Sequence, residues 1–550
     1  MTFLNIKRAL GSKAIIPVVV TIVCLALFVG KAFHIDDPLF IWSAKQIRIS
    51  PTDFYSFAVN WYGTEMPMAE VTKNPPVACY YIALIGSLFG WSEVALHTAF
   101  LVPAVAAALG TYYLAKQFCL QPALAALAAV LTPVFLVSST NIMCDTMMLA
   151  FWVWAVVFWV RGMKENNQLK LLFASVLIAI CALTKYFGMS LLGLLFVYSL
   201  IQRRKLGVWV LFLLIPAIIL GGYQWATHAL YGRGLLSDAA SFATEQRWMG
   251  GAALFSKGLT GLVFTGGCII TALFYSPLLW SRRVLFGGVV ATILFIFALT
   301  FSEKAGRFSV HDVDGVRWSF LIQLSLLAAG GVSLLGLAGA DFRKHQNAES
   351  LLLLLWVLGT FIFASFINWV VNARSILPMV PAAGILLVRR IGQHSDGGRW
   401  AGSLRRVWLL VPAAVLALLV SWADYTWAGT ARSAATAIHE RFENSDGNVW
   451  FQGHWGFQYY MEAVKGKALD FKHSKPAQGD IIIIPSNNCF TRRLPEKMVR
   501  LSEVFEFAPY RWLATMNRSL DAGFYIDARG PLPFAIGPVG PEEYHAFIVK

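Results

Sequence analysis

A chain of 550 residues in which 57% of side chains are hydrophobic and only 14% charged, with a mean hydropathy of +0.61, is too apolar to be a water-soluble globule. Its formal charge of +15 does not point to a nucleic-acid partner, because most basic clusters fall in short connections between apolar runs, where topology explains them. The composition describes a polytopic α-helical membrane protein whose first partner is the lipid bilayer.

The first apolar run, residues 14–33, has no small-residue cleavage site after it and reads as a retained signal anchor. It is followed at once by His34-Ile35-Asp36-Asp37-Pro38, two adjacent carboxylates where a helix should leave the bilayer. Acids at that boundary lose hydration and need a cation, a metal or a proton to share, so Asp36 and Asp37 are the first candidates for a catalytic base. An Asp before a proline also caps helices, and that reading of either residue stands beside the catalytic one. The loop 34–92 is long and aromatic, as functional loops often are, and its stretch 75–89 reads as an interfacial helix.

Further apolar runs follow at 93–115, 122–138, 146–160, 170–183, 186–201, 206–226, 259–280, 284–301, 318–337, 351–371, 375–388 and 407–427, giving about thirteen spans. Every second connection is basic: Lys7, Arg8 and Lys13; Lys116; Arg161, Lys164 and Lys170; Arg203 to Lys205; Arg282 and Arg283; Arg343 and Lys344; Arg389 and Arg390 through Arg405 and Arg406. Cytoplasmic loops retain Lys and Arg, so loop 34–92 and everything beyond residue 427 are expected on the periplasmic or extracellular side of the plasma (inner) membrane. Two further outer loops, 227–258 and 302–317, hold Asp238, Glu245, Arg247, His311, Asp312 and Asp314 and are expected to close over a site or to be simply solvated. Gly330, Gly331, Gly336 and Gly339 lie within one span and read as close helix packing, since no phosphate-cradling loop surrounds them.

From residue 429 onward the chain turns soluble in character. Strands are expected at 448–451 and 480–485 with a helix at 454–464 between them, a βαβ unit in an α/β domain. The expected division is therefore a membrane domain, 1–428, and a C-terminal domain, 429–550. The aromatic patch His454-Trp455-Gly456-Phe457 with Tyr459 and Tyr460 reads as core packing, with sugar stacking as the rival reading. The seven cysteines form neither a metal motif nor a disulfide framework.

Five strings together resemble the GT-C superfamily of glycosyltransferases that use polyprenyl-phosphate sugars, similar to the lipid A aminoarabinose transferases and the protein O-mannosyltransferases. They are Asp36-Asp37 at the end of the first helix, Val71-Thr-Lys73-Asn74-Pro75-Pro76, Asn141-Ile-Met-Cys-Asp145, Ala182-Leu-Thr-Lys185-Tyr-Phe-Gly188 and Asn372-Ala-Arg374-Ser-Ile-Leu-Pro378. The resemblance implies a GT-C membrane domain in which Asp36 is the general base and Asp37 supports it. It implies that Lys73, Lys185 and Arg374 meet the donor phosphate, and that Asp145 binds the acceptor or orients Lys185. Two departures stand out: Asn74 is interposed before the Pro-Pro step, and Ser375 replaces an aromatic residue. The implied reaction is an inverting transfer of a sugar from polyprenyl phosphate to a hydroxyl of a glycolipid, polysaccharide or protein, with a divalent metal as an open question. The alternative, a transporter or flippase for a lipid-linked saccharide, predicts paired half-repeats and broken helices at the midplane, whereas the ionisable candidates gather at one face.

Overall fold

A computed structural model describes residues 13–249, 254–393 and 407–550. Lys7, Arg8, Arg405 and Arg406 lie outside the described residues, as does the side chain of Arg247. Among the described residues nine helices are long and apolar enough to cross a membrane, and the bent pair Pro122–Val130 and Pro133–Ser139 makes a tenth. The 67° bend falls where Pro133 removes a backbone donor and the Thr132 hydroxyl starts a new helix by accepting from the Phe135 N–H at 3.3 Å.

The three remaining expected spans are shorter or interrupted. Ile15–Ala26 has 12 residues and Gln168–Thr184 has 17, roughly 18 and 26 Å at 1.5 Å per residue, less than the roughly 30 Å of a bilayer core. Leu254–Cys268 stops and resumes as two single turns, Thr271–Phe274 and Ser276–Leu279. The Arg282–Thr300 helix buries only Leu299 and leaves Val289, Ile293 and Phe297 exposed, a surface suited to lipid tails rather than water.

Small residues let two helices meet at backbone distance. A Cβ at Gly266 would lie 1.9 Å from the Leu327 carbonyl oxygen, and one at Gly331 would lie 2.2 Å from that of Leu262, so the Leu254–Cys268 and Trp318–His345 helices require glycine at both places. Gly339, which belongs to the same run of glycines, faces open space.

The Leu410–Phe442 helix, 33 residues long, runs unbroken past the expected boundary at 428/429, and the first strand of the C-terminal sheet begins at Val449. That sheet has five strands in the order Val499–Phe507, Glu542–Val549, Ile481–Pro485, Val449–Phe451, Lys467–Ala468. Val449–Phe451 pairs in parallel with Ile481–Pro485 across the Trp455–Ala463 helix, a βαβ unit, and Ile481, Ile482 and Ile483 are all buried, as a central strand covered on both faces requires.

Residues 513–536 leave this sheet and reach back to the helix ends. The Ala373 N–H donates to Phe524 O at 2.8 Å and the Asp527 N–H to Val371 O at 3.0 Å. The aromatic patch docks the same domain onto the first loop: Tyr460 Oη accepts from the Phe33 N–H at 2.7 Å and donates to Glu93 Oε1 at 2.9 Å. A Cβ at Gly456 would sit 2.0 Å from Phe33 O, so only glycine permits this docking. The patch is an interdomain core, held against the segment that carries Asp36.

Candidate active site

The chain turns out of its first helix and reaches Asp36 through Ile35, whose φ of +48° is a left-handed conformation that a β-branched residue adopts only under constraint. The constraints are visible. Asp37 Oδ2 accepts from the His34 N–H at 2.9 Å and Asp37 Oδ1 from the Ile142 N–H at 3.0 Å, so Asp37 ties the first loop to the segment leading into Asp145. Asp37 is fully buried, whereas the Asp36 side chain is 25% exposed. Burial pushes Asp37 up to about 7 against the pull of Lys31 and its two backbone donors, and drives His34 down to about 3. Asp36 occupies the N-cap position of the Asp37–Ile49 helix, yet its side chain makes no capping bond.

Instead, Arg374 Nη1 and Nη2 each donate to Asp36 Oδ2 at 3.0 Å. Arg374 lies in the first turn after Asn372, whose side chain caps that turn by accepting from the Ser375 N–H at 2.9 Å. Its Nη1 also lies 3.8 Å from Asp145 Oδ2. Asp145 opens the Cys144–Glu165 helix, where the dipole favours an anion, and its Oδ1 accepts from Lys185 Nζ at 2.5 Å. Lys185 sits between the Gln168–Thr184 helix and the turn Tyr186–Met189. Four helix ends thus bring Asp36, Asp145, Lys185 and Arg374 into one alternating row of charges. An incoming anion would meet two cations, and a hydroxyl would meet a partly exposed carboxylate.

Beneath this row lies a network that the sequence motifs did not mark. Lys31 is fully buried and donates to Asn141 Oδ1 at 2.6 Å, Asp424 Oδ2 at 2.5 Å and Thr140 Oγ1 at 3.2 Å. Asp424 also accepts from Tyr525 Oη and Thr515 Oγ1, both at 2.8 Å, and Tyr525 Oη accepts from Asn141 Nδ2 at 2.9 Å. The Tyr525 ring lies 5.7 Å from the Arg374 guanidinium. Lys31 and Asp424 were detectable as ionisable residues inside apolar runs, which are rare without a role. Tyr525 and Thr515 carried no such signal, because only the fold returns the C-terminal segment to the helix ends.

Lys73 makes its contacts elsewhere: Nζ donates to Asp238 Oδ2 at 2.5 Å and to Glu70 O at 2.8 Å. The interposed Asn74 approaches the site instead, its Oδ1 lying 3.6 Å from Cys144 Sγ. In the 302–317 loop Arg307 holds Asp527 at 2.7 Å and Arg317 pairs with Asp521, so it clasps the inserted segment, while His311, Asp312 and Asp314 stay exposed.

Among the described residues no group of three or more His, Cys, Asp or Glu side chains could hold a metal ion. Both Asp37 oxygens accept from backbone donors and Asp145 from Lys185, so these acids do not fit a divalent ion as they stand.

Residues 73–222 match the family described as dolichyl-phosphate-mannose-protein mannosyltransferase, a stretch that holds Lys73, Asp145 and Lys185. The chain superposes on the apo oligosaccharyltransferase of Archaeoglobus fulgidus with a TM-score of 0.50 at 13% identity, covering 83% of this chain and 64% of that one. That likeness is one of fold. The chain also superposes on ArnT from Cupriavidus metallidurans bound to undecaprenyl phosphate, at 12% identity and a TM-score of 0.47, covering 86% and 93% of the two chains. Comparison with curated proteins gives no match.

Proposed function

We propose that this chain is a GT-C glycosyltransferase that transfers a sugar from a polyprenyl-phosphate carrier to an acceptor hydroxyl, with inversion, at the non-cytoplasmic face of the plasma membrane. The observation that carries this reading is the convergence of Asp36, Asp145, Lys185 and Arg374 at one end of the bundle. The donor phosphate enters between Arg374 and Lys185, and the guanidinium turns from Asp36 to the phosphate. Asp36 Oδ2 then takes the acceptor's proton as its oxygen attacks the anomeric carbon and the carrier phosphate leaves. Proton abstraction contributes roughly 10²- to 10⁴-fold, and two fixed cations stabilise the charge that grows on the departing phosphate. Asp37 and Asp145 hold Asp36 and Lys185 in place. The ion pairs of the charge row lie at helix ends, an arrangement that favours a transferase over a transporter or flippase.

The experiment is transfer of radiolabelled sugar from defined polyprenyl-phosphate donors by the purified chain in nanodiscs, offered glycolipid, polysaccharide and peptide acceptors. Carrier-linked label moving across a sealed vesicle without transfer would replace the enzyme reading with the flippase one. Reporter tags after Lys550 and after Arg204 must fall on opposite sides of the membrane, and the same side for both overturns the assigned face.

A further inference from the structure

A cavity of about 760 Å³ lies between the Asp37–Ile49 helix, the first-loop strand Ala58–Asn60 and the C-terminal domain. That volume is in the range of ligand clefts, about 300–1,000 Å³. Two half-buried tryptophans, Trp42 and Trp450, line it together with Lys45, Glu65, Glu462 and Lys475. Trp42 is held by Trp61 and Tyr459, with ring centroids at 6.2 and 6.5 Å, and Trp450 by its Nε1 bond to Asp480 at 2.8 Å. Both rings are therefore fixed before any ligand arrives.

We infer that this cleft binds an uncharged saccharide chain, the glycan part of the acceptor. The inference rests on the transferase reading and names its acceptor class. Flat aromatic rings offer apolar faces on which sugar rings stack, and carboxylates, amides and ammonium groups beside them accept from and donate to hydroxyls. Lys45 and Lys475 balance Glu65 and Glu462, and His473 is paired with Asp470 at 3.0 Å, so the cleft has no excess of cations for a polyanionic acceptor. A polypeptide adding to a sheet edge would need a longer strand than Lys467–Ala468, whose two residues form the edge here and whose Lys467 Nζ is held by Asn448 at 2.7 Å. The cleft is also in line with the charge row. Trp42, Gln46 and Ile49 follow Asp36 on one helix, roughly 9 to 20 Å along its axis, so a glycan lying there would run toward Asp36.

The test uses the full chain in nanodiscs and three probes of matched length: a neutral hexose tetrasaccharide, its sulfated counterpart and a threonine-containing peptide, with binding followed by calorimetry. The neutral tetrasaccharide is expected to bind saturably, and Trp42→Ala to weaken it about tenfold, the scale of one lost aromatic stacking contact. Glu65→Gln with Lys475→Ala, both exposed and so without effect on folding, is expected to weaken it by a similar factor and to leave polyprenyl-phosphate binding unchanged. Tighter binding of the sulfated sugar, binding of the peptide that these variants weaken, or affinity for the tetrasaccharide that none of them changes would each overturn the inference. If the tetrasaccharide binds through Trp42 but no donor supports transfer, the reading of the reaction falls and the saccharide cleft stands. If transfer proceeds and the variants leave the KM for a glycan acceptor unmoved, the cleft falls and the reaction stands.

Discussion

Both terminal nitrogens of Arg374 meet a single oxygen of Asp36, at 3.0 Å each, leaving the other carboxylate oxygen free of that fork. The two adjacent acids therefore differ in kind: Asp36 is held by a side-chain cation, Asp37 by the backbone of its own loop and of Ile142. Asp36→Asn is expected to lower transfer roughly 10²- to 10⁴-fold with no loss of thermal stability, because an amide keeps the shape but takes no proton. Asp37→Asn must turn an NH2 toward one of two backbone N–H groups, at a cost of about 1–3 kcal/mol, and is expected to lower the melting temperature. Product formation and a melting curve for each variant check the pair; wild-type turnover by Asp36→Asn would remove that residue from the chemistry.

Lys185 and Arg374 are each paired to an acid that a phosphate can replace. Lys185→Ala and Arg374→Ala are each expected to weaken use of the donor about ten- to a hundredfold, the worth of one charge-assisted contact of about 1.5–3 kcal/mol. Lys73→Ala is expected to do less, since Lys73 is engaged with Asp238. Donor KM and single-turnover rates for the three variants decide; unchanged values for Lys185→Ala and Arg374→Ala would make them membrane anchors.

The Lys31–Asp424 pair joins the segment after the Ile15–Ala26 helix to the Leu410–Phe442 helix and carries Tyr525 beneath Arg374. Removing one partner of a buried pair leaves an uncompensated charge, a cost of about 3–5 kcal/mol, whereas removing both costs far less. Lys31→Met is therefore expected to destabilise the protein strongly, and Lys31→Met with Asp424→Leu to recover most of that loss without recovering activity. Tyr525→Phe keeps the ring and drops both hydroxyl bonds; it is expected to fold and to lower kcat. Melting temperatures and kcat across this set check the network, and additive losses would dissolve it.

Much of this was legible in the sequence because membrane proteins advertise their helices: all thirteen expected runs fall on helical segments, and the glycine run marked one close helix contact. Asp36 and Lys185 stood out as ionisable residues at the ends of apolar runs, and the family resemblance pointed to Asp145 and Arg374. Helix length was less legible, since hydropathy does not say where a chain turns, as it does after Ala26 and at Cys268. The pairing of Lys73 with Asp238 was not legible, because the two residues lie in loops that only the fold brings together. The 33-residue helix that crosses the expected boundary at 428/429 was not legible as one element, because its sequence turns from apolar to polar part-way along. Tyr525 was invisible for a different reason: nothing local distinguishes a loop tyrosine that folding returns to a site some four hundred residues earlier in the chain.

The docking of the C-terminal domain gives the last expectation, a pH dependence. His454 is buried between Trp61 and Phe490, at 5.6 and 5.8 Å, with Nδ1 at 2.8 Å from Gln458 Oε1, and burial drives it down to about 4 from the usual 6.5. His34, next to Asp36, is driven down to about 3. Between these values and 6.5 the unfolded chain binds more protons than the folded one, so the stability that the neutral rings contribute is present above pH 6.5 and is lost as pH falls. Each buried histidine contributes a slope of up to about 1.4 kcal/mol per pH unit in that window. Asp37 and Glu542, both pushed up to about 7 by burial, slope the other way, because the folded chain then holds the extra proton. The histidine contribution is therefore read as a difference: His454→Gln is expected to flatten the fall in melting temperature between pH 6.5 and 4 relative to wild type. Melting curves of both proteins at half-unit steps check this, and parallel curves would show that His454 docks without being held neutral.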